Sequence, residues 1–394
     1  MSEKTQSKRL LSLDVLRGIT IAGMLLVNNP GSWGHIFAPL SHAEWNGLTP
    51  TDLVFPFFMF IMGVSMYFSM RKFEFKLSGH VCWKIIRRTV VIFAIGLAIA
   101  WFGHFCRTMA NSDLPFWDRL LDAANNFEHM RILGVMPRLA LCYCAGAFIM
   151  CLVNIKRVPW IAAGLLVIYS AMLLLGNGYE ISENNILYII DNAVLGSNHM
   201  YSLHPFAEIG LAFDPEGLAS TIPAIAHVLI GAMCGYLIIK IKDNHERVKN
   251  LLITGFVLMA IGWLLSYGLP INKNIWSTTF VLVTTGMASS FLAFLIWVID
   301  IEGKKKWSRF FETFGINPLF LYVLGGVLSI LFSSISLPLG GEMVNIHNII
   351  YKEFLLNIMP DSVLWASCFY ALIFVCINWC VGLILYKKKI YIKI

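Results

Sequence analysis

Charge is scarce in this chain. Of its 394 residues only 13% are Asp, Glu, Lys or Arg, against about 25% in a soluble domain, which excludes a single water-solvated globule. Cysteine motifs are missing too. The nine cysteines include no CxxC pair and no Cys/His spacing of a metal site. Most sit in apolar runs (Cys142, Cys144, Cys151, Cys234, Cys368, Cys376, Cys380) and read as small packing residues. There is no nucleophile elbow, metal motif or phosphate-cradling glycine loop. Internal repeats and low-complexity linkers are absent. No small-residue cleavage site follows the first apolar run, so that run reads as a retained span.

Apolar sequence is what the chain has in quantity: 58% hydrophobic residues and a mean hydropathy of +0.71. A bilayer crossing needs about 20 apolar residues. About ten runs qualify, near 14–30, 52–70, 86–104, 132–153, 158–176, 220–240, 250–268, 276–300, 312–334 and 362–386. The expectation is an all-α integral membrane protein, a single domain over 1–394 built as a bundle of about ten transmembrane helices.

The net charge of +7 is an orientation signal. With the N-terminus on the cytoplasmic side, 23 of the 30 Lys and Arg residues fall in inner segments, among them Arg71, Lys72, Arg87, Arg88, Arg247, Lys304–Lys306 and Lys387–Lys389. Both termini are therefore expected in the cytoplasm, with 1–13 as an N-terminal segment and 387–394 as a tail. No nucleic-acid partner is implied. The loop that contains SHAEWNGLTPTD then lies on the outer face.

Ionisable residues within spans are costly and mark candidate sites. Asp14 and Arg17 share a helix face; they read either as a structural ion pair or as an anion-contacting arginine oriented by its aspartate. Asn28 ends the first run just before Pro30, as a helix cap or as an amide donor to a developing oxyanion. Arg138 follows Pro137 inside the fourth run and needs an anionic partner, from protein or ligand. The outer turn Asp214-Pro215-Glu216-Gly217 carries two carboxylates. The short PINKNIW segment holds Asn272, Lys273 and Trp276, the last also an interface anchor. His227, alone in an apolar span, reads as a packing histidine.

His42 has the side chain suited to proton transfer near neutrality. Glu44, Trp45, Asn46 and Thr49 follow, then Asp52, and a carboxylate near the imidazole could fix its tautomer. Trp45 could form a platform for a sugar ring. Outer loops of membrane proteins carry such residues without catalysis as well.

Several stretches resemble one family. LLSLDVLRGITIAGMLLVNN, SHAEWNGLTPTDLVFPFFMFIMGVS, RILGVMPRLALCY, FDPEGLASTIPAI, PINKNIWSTTFVL and FGINPLFLYV are similar, in order, to the heparan-α-glucosaminide N-acetyltransferase family and its bacterial relatives. The resemblance implies a transmembrane acyltransferase of a bacterial inner membrane. It would move an acetyl group from cytoplasmic acetyl-CoA, as co-substrate and without a metal, to an amino sugar or glycan acceptor at the outer face. It also implies His42 as the active-site histidine, Asn28 as the active-site asparagine and a homodimer in lipid; the chemistry then makes His42 a general base or an acetyl carrier, with Asn28 assisting and Asp52 as the carboxylate near the imidazole. Arg17, Arg87, Arg88 and Arg138 become candidates for CoA, and Trp45, Asn46, Asn272, Lys273 and Trp276 for the acceptor. A transporter or flippase of a sugar or lipid-linked glycan and a glycan O-acetyltransferase are the alternatives.

Overall fold

The computed structural model describes residues 10–392 apart from 112 and 126. Lys4, Lys8, Arg9 and Lys393 of the charge count lie outside the described residues. Helices dominate: α1 (Leu11–Val27), α2 (Val54–Arg71), α3 (Gly79–Asn111), α4 (Phe116–Ala124), α5 (Val135–Leu152), α6 (Val158–Leu175), α7 (Ile186–Leu195), α8 (His204–Ala207), α9 (Thr221–Lys240), α10 (Asn244–Leu265), α11 (Thr278–Leu295), α12 (Arg309–Ile316), α13 (Pro318–Ser334), α14 (Ile346–Asn348) and α15 (Val363–Lys387). A two-stranded antiparallel hairpin, β1 (Ser336–Leu339) and β2 (Glu342–Asn345), follows α13.

Every apolar run expected to span is helical. Among the described residues, eight helices are long and apolar enough to cross a membrane, or nine if the bent pair α12–α13 counts as one span. Helices satisfy their own backbone groups, which is what a bilayer interior demands. The run expected at 14–30 is α1. Its 17 residues give about 25 Å, a little short of a hydrocarbon core of about 30 Å. The run at 312–334 is broken, with an 88° bend between α12 and α13. Asn317 sits at that bend, where its amide bonds Ile390 O (2.9 Å) and Ile392 N (2.8 Å) of the C-terminal segment. The hairpin, the amphipathic α4 and the apolar α7 were not among the expected elements.

Caps and breakers in the sequence set the helix ends. The first helix stops at Asn28-Asn29-Pro30, where proline has no N–H to continue the ladder. The Asn29 amide caps Leu25 O (2.8 Å). Ser277 caps α11 by accepting from Phe280 N. Before α2, Thr49 and Asp52 form a reciprocal capping box around the turn Pro50–Leu53.

Close backbone contacts hold the bundle centre. The second helix packs on α9, and a Cβ at Gly63 would lie 2.1 Å from Val228 O. Small residues of this kind let membrane helices approach until dispersion and weak hydrogen bonds act between backbones. The contact of α1 with α12 is tighter: a Cβ at Gly18 would lie 1.7 Å from Phe311 O. The first two helices run in opposite directions through the centre. One end of the bundle therefore holds the loop between them, with His42. The other end holds Arg17, Arg71 and Lys72.

Candidate active site

The loop from Ser41 to Leu53 is built around one carboxylate. Asp52 is fully buried. Its Oδ2 accepts from the backbone N–H groups of Ala43 (3.2 Å) and Thr49 (3.0 Å), while its Oδ1 lies 2.7 Å from His42 Nδ1. Ala43 and Thr49 thus orient the acid, and the acid orients the imidazole. With the Nδ1 proton donated to Asp52, Nε2 is left with a free lone pair, the arrangement of a general base.

A second loop supplies a third group. Residues 270–277 lie against the His42 loop: Gly47 N donates to Ile271 O (2.8 Å), Asn272 Nδ2 to Asn46 Oδ1 (3.1 Å) and Asn274 Nδ2 to Glu44 O (3.3 Å). Asn272 and Ser277 bond each other's backbone, and the buried Trp276 anchors the turn with φ 53°. Between these two anchors Lys273 projects its amine to 2.9 Å from His42 Nδ1, 3.3 Å from His42 Nε2 and 3.4 Å from Asp52 Oδ1. Burial pushes the Lys273 ammonium below the usual lysine range, against the pull of Asp52 and Glu216.

His42 and Lys273 face a cavity of about 840 Å³, lined also by Asn28, Trp33, Glu44, Arg131, Glu216 and Tyr322. Arg131 forms a fork with Asp214 (2.8 and 2.5 Å) and reaches Glu216 (2.5 Å). Burial opposes charge on Glu216, but Arg131, Arg138 and Lys273 overcome it and hold its carboxyl below the ordinary range. A smaller cavity of about 360 Å³ adjoins along Met24, Asn28, Arg131 and Tyr322. Asn28 is exposed at the end of α1 and lines both.

At the other end of α1 lies a basic cavity of about 600 Å³, lined by Asp14, Arg17, Ser65, Arg71, Lys72 and Arg247 among others. Arg17 bonds Asp14 (3.0 Å), Ser65 Oγ (2.7 Å) and Gly315 O (3.2 Å). It therefore ties α1 to α2 and to the end of α12, and also lines the cavity. On α1 the two cavity systems are separated by Arg17 to Met24, about 10 Å of helix.

The other expected site residues are dispersed. Arg87 is exposed on α3, and Arg88 stacks 4.6 Å over the Tyr143 ring; neither lines the basic cavity. Arg138 is completely buried near the His42 end. There it bonds Gly217 O (3.3 Å) and Ser220 Oγ and stacks 5.1 Å over Trp276. Trp45 lies beneath the loop, with its indole N–H on Tyr179 O (2.9 Å) and its ring against Phe206 and Phe213. Asn46 and Asn272 bond each other outside the cavity wall. The most exposed tryptophan or tyrosine ring among the described residues at the cavity is Trp33, which is 68% accessible, with Tyr201 exposed there as well. It lies in the stretch NPGSWGHIF, outside the motifs singled out in the sequence. Arg71, Lys72 and Arg247 had registered only as orientation charges.

Comparison with known proteins gives two matches. The chain is 28% identical over 98% of its length to human heparan-alpha-glucosaminide N-acetyltransferase, and 26% identical over its whole length to the mouse protein of the same name. It spans about 60% of the length of these relatives. No family model matches it. Similarity along nearly the entire chain supports a relationship to these N-acetyltransferases.

Proposed function

We propose that this protein is a transmembrane acetyltransferase that takes the acetyl group of acetyl-CoA at its basic end and delivers it to an amino sugar or glycan at the His42 end. The observation that carries the reading is the His42–Asp52 pair, with Lys273 and Asn28 around one cavity, set across α1 from a second cavity lined with cations. The similarity to two N-acetyltransferases supports the same reaction class.

The positive-inside rule assigns the Arg17 end to the cytoplasm, where Arg17, Arg71, Lys72 and Arg247 suit the phosphates of CoA. An extended thioester arm has about 16 Å of α1, from Arg17 to Asn28, to pass before its carbonyl meets Asn28. His42 Nε2 takes a proton from the acceptor as it attacks that carbonyl. The Asn28 amide donates to the carbonyl oxygen as negative charge develops there. The tetrahedral carbon then expels the thiolate, which recovers the proton from His42. Trp33 offers a flat apolar face to a sugar ring beside this position.

The test is release of free thiol. Purified protein given acetyl-CoA and glucosamine releases thiol, and His42→Ala abolishes that release while CoA still binds. Absence of thiol release across a broad panel of amino sugars and glycans would sink the reading in favour of transport. Acetyl label retained on the protein without acceptor would replace direct transfer by an acetyl-histidine route.

A further inference from the structure

An amine acceptor poses a proton problem that one histidine does not solve. At neutral pH a primary amine is an ammonium ion. It must lose one proton to become a nucleophile and a second once it has bonded to the acetyl carbon. The leaving thiolate takes up only one. The balance is R–NH₃⁺ plus acetyl-S-CoA giving R–NH-acetyl, HS-CoA and one H⁺. A hydroxyl acceptor, by contrast, delivers a single proton, which the thiolate consumes.

The site holds two basic nitrogen groups where one would serve a hydroxyl. Lys273 Nζ is 2.9 Å from His42 Nδ1 and 3.3 Å from Nε2. Near-equal approach to both ring nitrogens sets the amine against the imidazole itself rather than along one lone pair. Asp52 is the carboxylate that touches both groups, at 2.7 and 3.4 Å, and one carboxylate balances one cation. An ammonium and an imidazolium this close repel strongly, so the two bases hold their protons in turn. Around them in the cavity stand Glu44, Glu216 with its partner Arg131, His204 and Tyr322.

We propose that Lys273, as the neutral amine, takes the first proton from an ammonium acceptor and releases it to the outer cavity, and that His42 takes the second during attack. This rests on the acetyltransferase reading and narrows its acceptor to amines. The order follows from the geometry: Lys273 has to be neutral again before His42 becomes imidazolium. Burial of the Lys273 amine, which lowers its affinity for a proton, suits it to that exchange, and its place on the cavity wall gives the proton an exit.

Two measurements test it. In the first, thiol release with glucosamine is compared for wild type, Lys273→Met and Lys273→Arg at about pH 6 and about pH 9, either side of the range in which such amines titrate. Lys273→Met is expected to lose about 100-fold at the lower pH and less than about tenfold at the higher, where the acceptor arrives already neutral. Lys273→Arg is expected to match it, because a guanidinium keeps its proton. Wild-type turnover by Lys273→Arg at the lower pH, or an equal loss by Lys273→Met at both, overturns the proposal. The second needs no turnover: competitive labelling with acetic anhydride, read by mass spectrometry. Lys273 is expected to become reactive at lower pH than Lys304. Reactivity rising only with that of Lys304 overturns the proposal even if acyl transfer is intact. Early labelling of Lys273 in a protein that releases no thiol faults the acetyltransferase reading and leaves the lysine's basicity standing.

Discussion

His42 Nδ1 lies 2.7 Å from Asp52 Oδ1, and the other oxygen of that carboxylate holds the loop that presents the histidine. Orientation of the base and folding of its loop are therefore one interaction. Replacing Asp52 by Asn puts an NH₂ or a weaker acceptor opposite the N–H groups of Ala43 and Thr49 or the imidazole. Leaving a buried donor unpaired costs about 1–3 kcal/mol. Asp52→Asn should reduce thiol release at least 100-fold and lower the unfolding temperature. A variant with lower stability and full activity would separate the two roles and remove Asp52 from the mechanism.

The two tryptophans near the site should respond differently. Trp33 is exposed at the cavity, whereas Trp45 is packed against Phe206 and Phe213. Trp33→Ala should raise the acceptor KM about tenfold with kcat little changed, the signature of lost ground-state binding. Trp45→Ala should act on thermal stability. Steady-state kinetics with varied acceptor, beside melting curves, would show the reverse pattern if Trp45 were the sugar platform.

At the basic end, Arg71→Gln, Lys72→Gln and Arg247→Gln should each raise the KM for acetyl-CoA and leave that for acceptor unchanged. The loss should shrink as ionic strength rises, since salt screens the same attraction in wild type. Arg87→Gln, on the exposed face of α3, should do neither. Equal effects of Arg87 and Arg71 substitutions would move the donor site off this cavity.

A pH effect on stability follows from Asp191. Burial raises its carboxyl to about 6, while it accepts from the N–H groups of Leu218 (2.9 Å) and Ala219 (3.1 Å). Unfolded, it titrates at the ordinary 3.8. The folded state thus binds more protons between these values, and stability falls as pH rises through them, by about 3 kcal/mol from this group. Asp191→Asn keeps an acceptor for both N–H groups and has no proton to lose. Thermal unfolding of the two proteins between about pH 4 and about pH 6 should show the wild type losing stability relative to the variant. Parallel curves would contradict the assignment.

The helical bundle was legible because its signal is cumulative: about ten apolar runs need no knowledge of contacts. The bend at Asn317 was passed over, although Gly315 and the Asn317-Pro318 pair interrupt the run at 312–334 there. Within the site, His42 and Asp52 are ten residues apart on one loop, close enough for their pairing to be anticipated. Lys273 comes from 231 residues away, and spacing carries no information at that range; only its place in the short PINKNIW segment marked it. Arg138 shows the converse. A buried arginine was expected to need an anion from protein or ligand; it bonds Gly217 O and Ser220 and stacks on Trp276, and its charge is felt by the carboxylate of Glu216, all of them on two other segments.

The central claim is transfer between opposite faces, and sidedness tests it most directly. In proteoliposomes of known orientation, acetyl-CoA is supplied to one face and glucosamine to the other. Thiol release is expected only with acetyl-CoA on the Arg17, Arg71 and Arg247 side and glucosamine on the His42 side. Equal turnover with both substrates confined to the His42 side would contradict it.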